Sequence, residues 1–137
     1  MSRILLLDDD SQMRIIVPRT LKDYDVVAAN GVANAREALR DNPDFQLYLT
    51  DFQMPGRNGL DFLRSMQGYQ YPRRIMYSSR ADQDLCNHVL RLGGDGLIAK
   101  PFEGELLRTV VSELIAGCSS PTLETYMQKM QAKKWIV

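Results

Sequence analysis

The sequence predicts an α/β fold organised around a parallel β-sheet. Three observations lead there. Five short apolar runs recur at intervals of roughly twenty residues, each too brief for a helix. Helical apolar periodicity fills the gaps between them. The first and third runs are almost continuously hydrophobic, as strands covered on both faces require. Strand and helix alternating in this way give right-handed crossovers that place helices on both faces of the sheet.

The elements follow in chain order. Residues 4–7 form the first expected strand and run into Asp8, Asp9 and Asp10. Met13, Ile16, Val17 and Leu21 mark a helix over 11–22, with Asp10 or Ser11 as its N-cap. Pro18 lies inside it, lacks an amide donor and crowds the carbonyl of Arg14, so a kink or an early stop is expected. A strand at 24–28 and a helix at 32–40 follow, the latter on Val32, Ala35 and Leu39. The third strand, 45–50, ends at Asp51, and Leu60, Leu63 and Met66 set a helix over 60–67. Residues 75–78 make the fourth strand, and Leu85, Val89 and Leu92 make a helix over 82–92. The fifth strand, 96–99, leads into Lys100 and Pro101. A helix at 103–116 then carries the stripe Leu106, Leu107, Val110, Val111, Leu114 and Ile115. Gly-Cys-Ser-Ser-Pro at 117–121 is loop-like and closes a domain at 1–117. In the tail, 118–137, residues 122–134 have helical spacing and read equally as a short helix or as a frayed end or linker stub.

Composition narrows the function. A chain of 137 residues suits one domain, and 17 basic against 17 acidic residues give no basic excess of the kind that grips nucleic acid or anionic membrane. No run is long enough for a membrane span or signal peptide. Cys86, Cys118 and the single His88 have no metal-ligand spacing, so zinc and haem sites and a disulfide framework are not expected, and a reduced, cytoplasmic setting is. His88 reads as a helix-surface residue, Cys86 as packing, and Trp135 has no assigned role.

In such a sheet the ligand site lies outside the carboxyl ends of the strands. Those ends deliver Asp8, Asp9 and Asp51, the hydroxyls of Ser78 and Ser79, and Lys100 to one edge. Two carboxylates about 4 Å apart repel by roughly 4 kcal/mol at an effective dielectric of ~20. Lys100 offsets part of that charge, and a hard divalent ion would offset more. Oxygen-only ligands favour Mg²⁺ or Mn²⁺. Taken singly, each feature has an ordinary reading as a helix cap, a turn or a strand-to-helix connection. Their arrival in register with the strand ends does not.

The segments ILLLDDDSQMR (4–14), LTDFQMPGRNGLDFL (49–63), IMYSSRAD (75–82) and GGDGLIAKPF (93–102) resemble the receiver domain of bacterial two-component response regulators, over residues 2–117. The acidic pair, D-x-x-M-P-x-x-x-G, the small hydroxyl residue and K-P-F form the joint signature. The resemblance implies a flavodoxin-like sheet of order 2-1-3-4-5 with five helices on both faces. Asp51 is then the phosphoacceptor, taking a phosphoryl group from a phosphohistidine on a sensor histidine kinase or histidine phosphotransfer protein. Asp9, Asp51 and the backbone carbonyl of Gln53 would bind Mg²⁺ (or Mn²⁺), with Asp8 acting through a coordinated water. Lys100 would pair with a phosphoryl oxygen, and Ser78 would donate to another. Ser79 occupies a position that must be small, and the Lys100–Pro101 bond is expected to be cis. Gln53 and Arg80 flank the phosphoryl group, and Arg80 is expected to shield it from water.

Leu97 departs from the pattern, standing where the family usually has an aromatic. Tyr77, beside Ser78, offers itself for part of that role. Pro18 is a second departure. The resemblance implies a signalling switch, not an enzyme beyond self-phosphorylation and slow autophosphatase activity. Its partners would be the kinase and a downstream protein or covalently linked output domain, without nucleic acid or membrane contact. Two rivals stand beside it: a haloacid-dehalogenase-type phosphatase using Asp8-x-Asp10, and a degenerate receiver that acts only as a binding module.

Overall fold

The computed structural model describes residues 1–41, 44–53, 59–65, 72–117 and 119–130. Five parallel strands, β1 (Arg3–Leu7), β2 (Asp25–Ala29), β3 (Leu47–Asp51), β4 (Arg73–Ser78) and β5 (Gly96–Ala99), form one sheet of order β2-β1-β3-β4-β5. Helices α1 (Met13–Thr20), α2 (Val32–Asp41), α3 (Gly59–Ser65), α4 (Gln83–Arg91), α5 (Gly104–Ala116) and α6 (Pro121–Met130) surround it. The expected flavodoxin-like order is the order found. The expected five helices are joined by a sixth.

The strands alternate their side chains between two faces. Ile4, Leu6, Leu47, Leu49, Ile75, Tyr77 and Ile98 pack with Val17 of α1 and with Leu107, Val110, Val111 and Leu114 of α5. On the opposite face Leu5, Leu7 and Tyr48 pack with Ala35 and Phe62, while Met76 and Leu97 pack with Leu63, Leu85, Cys86 and Val89. His88 is exposed and Cys86 buried, where burial raises its thiol pKa.

The boundaries differ from the periodicity in instructive places. β4 starts two residues before its apolar run because Asp95 accommodates two arginines there. Its carboxylate lies 3.2 Å from Arg73 Nη1 and accepts the Arg74 backbone N–H at 2.8 Å. β2 begins at Asp25, opposite Arg3, whose Nε lies 3.1 Å from its carboxylate, so Tyr24 falls outside the strand. α1 is shorter than the spacing suggests. The Asp10 carboxylate accepts the Gln12 N–H at 2.9 Å in the turn before the helix, Gln12 is the N-cap, and Ser11 plays no capping part. Beyond Pro18 only two residues remain helical, so of the two outcomes expected from the proline, early termination is the one seen. α4 is capped by Asp82, which accepts the Leu85 N–H at 2.8 Å. Residues 54–58, Met66, Cys118 and 131–137, Trp135 among them, lie outside the described residues.

For the tail, the helical alternative is the one adopted over 121–130. The turn before α6 is tied to α5 by Glu113, whose carboxylate accepts the Ser120 hydroxyl at 2.6 Å, the Thr122 N–H at 3.0 Å and the Thr122 hydroxyl at 2.8 Å. These bonds hold the Glu113 carboxyl below its ordinary pKa. Leu123 then seats on β5, where Gly96 leaves the space: a Cβ at Gly96 would stand 2.5 Å from Leu123 Cδ2. The Tyr126 hydroxyl oxygen accepts the Ala99 N–H at 2.9 Å. Among the described residues, no helix is long and apolar enough to cross a membrane.

Leu123 is 2% exposed in the core that α5 and the sheet share. Leu123→Ala is expected to cost about 2–5 kcal/mol, the range for emptying a buried leucine site, as read from urea unfolding of the full chain.

Candidate functional site

Strand register builds the site. Asp51 pairs with Tyr77, and Tyr77 with Ile98. Paired residues of a parallel sheet share a face, so Asp51, Tyr77 and Ile98 form one row above the α1–α5 layer. Asp8 extends the Ile4, Leu6 series by one step of two, and Lys100 does the same for Ile98. Period-two alternation therefore aims Asp8, Asp51, Tyr77 and Lys100 toward one side. Ser78 and Leu97 belong to the other phase.

The distances bear this out. Oxygens of Asp8, Asp9 and Asp51 lie within 4.8 Å of one another. Lys100 Nζ lies 3.0 Å from Asp51 Oδ1 and 3.8 Å from Asp8 Oδ2. Asp8 is fully buried and Asp51 nearly so, whereas Asp9 is exposed. Asp8 Oδ1 accepts the Asp10 N–H at 2.9 Å, and Asp8 Oδ2 accepts the Tyr77 hydroxyl. Arg14 Nη1 donates to the Asp8 backbone carbonyl at 3.0 Å. Asp10, the acid that the phosphatase alternative needs, is exposed, accepts the Gln12 N–H in the turn before α1, and is not one of the three carboxylates that converge.

Burial raises the Asp51 pKa above the ordinary carboxylate value; the Lys100 hydrogen bond opposes this, and the charges of Asp8 and Asp9 reinforce it. Tyr77 is held far above an ordinary phenol, chiefly by burial and then by its hydrogen bond to Asp8, so it is a neutral donor at any working pH. The Lys100–Pro101 bond is cis, as expected.

The remaining predicted residues surround this core. Ser78 is buried, and its hydroxyl oxygen accepts the Arg80 N–H at 3.0 Å. The Ser78 backbone carbonyl accepts the Lys100 N–H at 2.8 Å, joining the ends of β4 and β5. Ser79 and Arg80 are exposed, as is Gln53, which follows a turn in which Phe52 N–H donates to the Tyr77 carbonyl at 3.0 Å. The glycine of the Asp51 motif has a direct cause: a Cβ at Gly59 would stand 2.3 Å from the Asp51 carbonyl oxygen, so only a bare Cα lets α3 start against the end of β3. Leu97 is fully buried among Met76, Leu63 and Val89, on the face away from Tyr77. Tyr77 therefore does not stand in for the aromatic that Leu97 replaces. Its place is the floor of the acidic pocket, a role the sequence reading missed. The signal was available, since Tyr77 falls in phase with Asp51 one strand over.

Among the described residues, three carboxylates converge beside one ammonium, an oxygen-only donor set with negative charge in excess. Such a set fits Mg²⁺ or Mn²⁺ and lacks the nitrogen or sulfur that zinc prefers.

Comparisons with known proteins agree with this geometry. The family model for the response regulator receiver domain matches residues 4–112. The chain is 27% identical over 123 residues to the chemotaxis protein CheY of Pseudomonas aeruginosa, covering 82% of this chain and 94% of that protein. It is 36% identical over 109 residues to protein-glutamate methylesterase/protein-glutamine glutaminase 2 of Burkholderia thailandensis, covering 74% of this chain but 30% of that protein. A CheY-like response regulator receiver domain protein from Methanospirillum hungatei superposes with a TM-score of 0.73 at 26% identity, over 83% of this chain and 94% of that one. A match running from β1 almost to the end of α5 fixes the family: the chain belongs to the CheY-like response regulator receiver domains.

Proposed function

We propose that Asp51 is the residue phosphorylated, and that the chain works as a switch in a two-component phosphorelay. The observation that supports this most directly is the Lys100 ammonium 3.0 Å from Asp51 Oδ1, inside a cluster of acids that shares one oxygen-lined pocket. An Asp51 oxygen attacks phosphorus, the P–N bond to the donor histidine breaks, and the imidazole leaves with a proton restored to its nitrogen. Asp9, Asp51 and the Gln53 carbonyl, with Asp8 behind them, would hold a Mg²⁺, which when bound would neutralise charge at the phosphoryl oxygens. Lys100 keeps its ammonium at the acceptor carboxylate and is placed to follow the charge onto the phosphoryl group. The Ser78 oxygen accepts the Arg80 N–H while its own O–H is free to donate, so a hydroxyl drawn to a phosphoryl oxygen would carry the Arg80 backbone with it, and the loop after β4 is the element that the modification biases. With Leu97 packed among aliphatic residues, the altered surface is read through that loop.

Receiver domains are phosphoacceptors rather than enzymes with a separate substrate, and they pair with histidine kinases. A sensor kinase or histidine phosphotransfer protein as donor, and a downstream protein or linked output domain as reader, fit this reading. So does a cytoplasmic setting.

Three outcomes test it. Incubation with Mg²⁺ and a small phosphodonor should add one phosphoryl group at Asp51 by mass spectrometry, and Asp51→Asn should remove it entirely. No adduct, with beryllofluoride also failing to bind, would leave a pure binding module. Arg80→Ala should shorten the aspartyl-phosphate lifetime several-fold in a label-loss assay, and an unchanged lifetime would remove Arg80 from the shielding role.

The third concerns stability without metal. Because the folded state raises the Asp51 pKa, folding takes up a proton there. That contribution is fully present below the ordinary carboxylate value and is lost as pH rises through the raised one. At neutral pH in chelator, Asp51→Asn should therefore melt higher than the unsubstituted chain in thermal unfolding. Added Mg²⁺ should raise the melting temperature of the unsubstituted chain more than that of the variant.

A further inference from the structure

A carboxylate withdrawn from water has to be solvated by the protein around it. Asp8 is fully buried, and each of its oxygens has a fixed donor: the Asp10 N–H at 2.9 Å on Oδ1, and the Tyr77 hydroxyl on Oδ2. The Tyr77 ring is itself buried and rests edge-on against Phe102, with 5.7 Å between ring centres, so the hydroxyl arrives from a set direction. The face of the same ring lies 4.6 Å from Lys100 Nζ, close enough for the ring quadrupole to attract the ammonium. One side chain thus touches both an acid and the cation of the pocket. Neither contact uses up the second lone pair of the Asp8 oxygens, which stay open to a further partner.

We propose that Tyr77 is a positioning residue of this site: its hydroxyl fixes the Asp8 carboxylate in place for a divalent cation, while its ring seats the Lys100 ammonium between Asp8 and Asp51. This deepens the phosphoacceptor reading and rests on it for the purpose of the cation. The mechanism is that of a partner behind a metal-binding acid, which holds one rotamer and keeps the charged form satisfied. Packing alone would not require the hydroxyl.

The test is Mn²⁺ titration of the metal-free full chain, followed by electron paramagnetic resonance with no phosphodonor present. Tyr77→Phe keeps the ring and removes only the hydroxyl, and is expected to weaken Mn²⁺ binding by about tenfold, the lower end for loss of such a partner. In an Asp8→Asn background the same substitution should cost nothing further, since the group it acts through has been replaced. Unchanged affinity in Tyr77→Phe, or an equal loss in both backgrounds, overturns the assignment. A second measurement needs no substitution: proton NMR of the unsubstituted chain should show the Tyr77 hydroxyl proton downfield and protected from exchange. Rapid exchange of that proton overturns the proposal even where Tyr77→Phe fails to fold. Failure of the unsubstituted chain to take up a phosphoryl group would instead sink the phosphoacceptor reading, and the Mn²⁺ titration would still decide the role of Tyr77.

Discussion

The constraint on which this molecule turns is the cost of gathering negative charge where water is scarce. Asp8 and Asp51 are buried together, and a single ammonium, Lys100, stands within 3.0 Å of one and 3.8 Å of the other. Loss of Lys100 would leave two buried carboxylates without a counter-charge, which is strongly destabilising, so the lysine is tied to the acids it faces. Lys100 cannot balance three carboxylates by itself. The negative charge in excess among the described residues makes the pocket receptive to a hard cation, and burial first, then the neighbouring acids, leaves the Asp51 carboxyl easier to protonate than an ordinary one. The resting pocket is therefore under electrostatic tension that a cation relieves.

The rest of the fold serves to bring these groups to one edge. Parallel strands all end on the same side, and right-handed crossovers leave that side clear of helix bodies. The acids come from the turn after β1 and the end of β3, the phenol from β4 and the ammonium from the turn after β5, with Asp51 and Tyr77 paired across neighbouring strands. Hydrogen bonds between strand ends keep the edge aligned. Asp8 N–H donates to the Ala29 carbonyl at 3.0 Å, Phe52 N–H to Tyr77 at 3.0 Å and Lys100 N–H to Ser78 at 2.8 Å. The pocket is therefore an extension of the sheet's own ladder.

Much of this was legible in the sequence because burial and period reinforce one another. The five strands, their order through the resemblance, and the acids, hydroxyl and lysine at their ends all follow from short apolar runs closed by polar residues. What escaped did so for identifiable reasons. Arg73 and Arg74 look like loop residues until Asp95, more than twenty positions away, is seen to face them. Tyr77 sits within an apolar run and reads as core, although its strand partner Asp51 puts it in the pocket. Composition could not decide the fate of the tail, because Leu123 and Tyr126 form a helix face whose seat depends on a glycine in β5. Local pattern reports which residues want burial; it does not report which distant residue makes a charge or a gap acceptable.

The docking of α6 has one more consequence. A terminal strand leaves backbone donors and acceptors unpaired, an open template onto which strands of neighbouring molecules can add. With Leu123 laid into the notch at Gly96 and the Tyr126 oxygen taking the Ala99 amide, that template is blocked along β5. The opposite margin, β2, carries an exposed Asp25 tied to Arg3, a charge that intermolecular pairing would have to desolvate. Each border of the sheet thus carries a cover, one a helix and one a charge, of the kind that discourages strand addition between molecules.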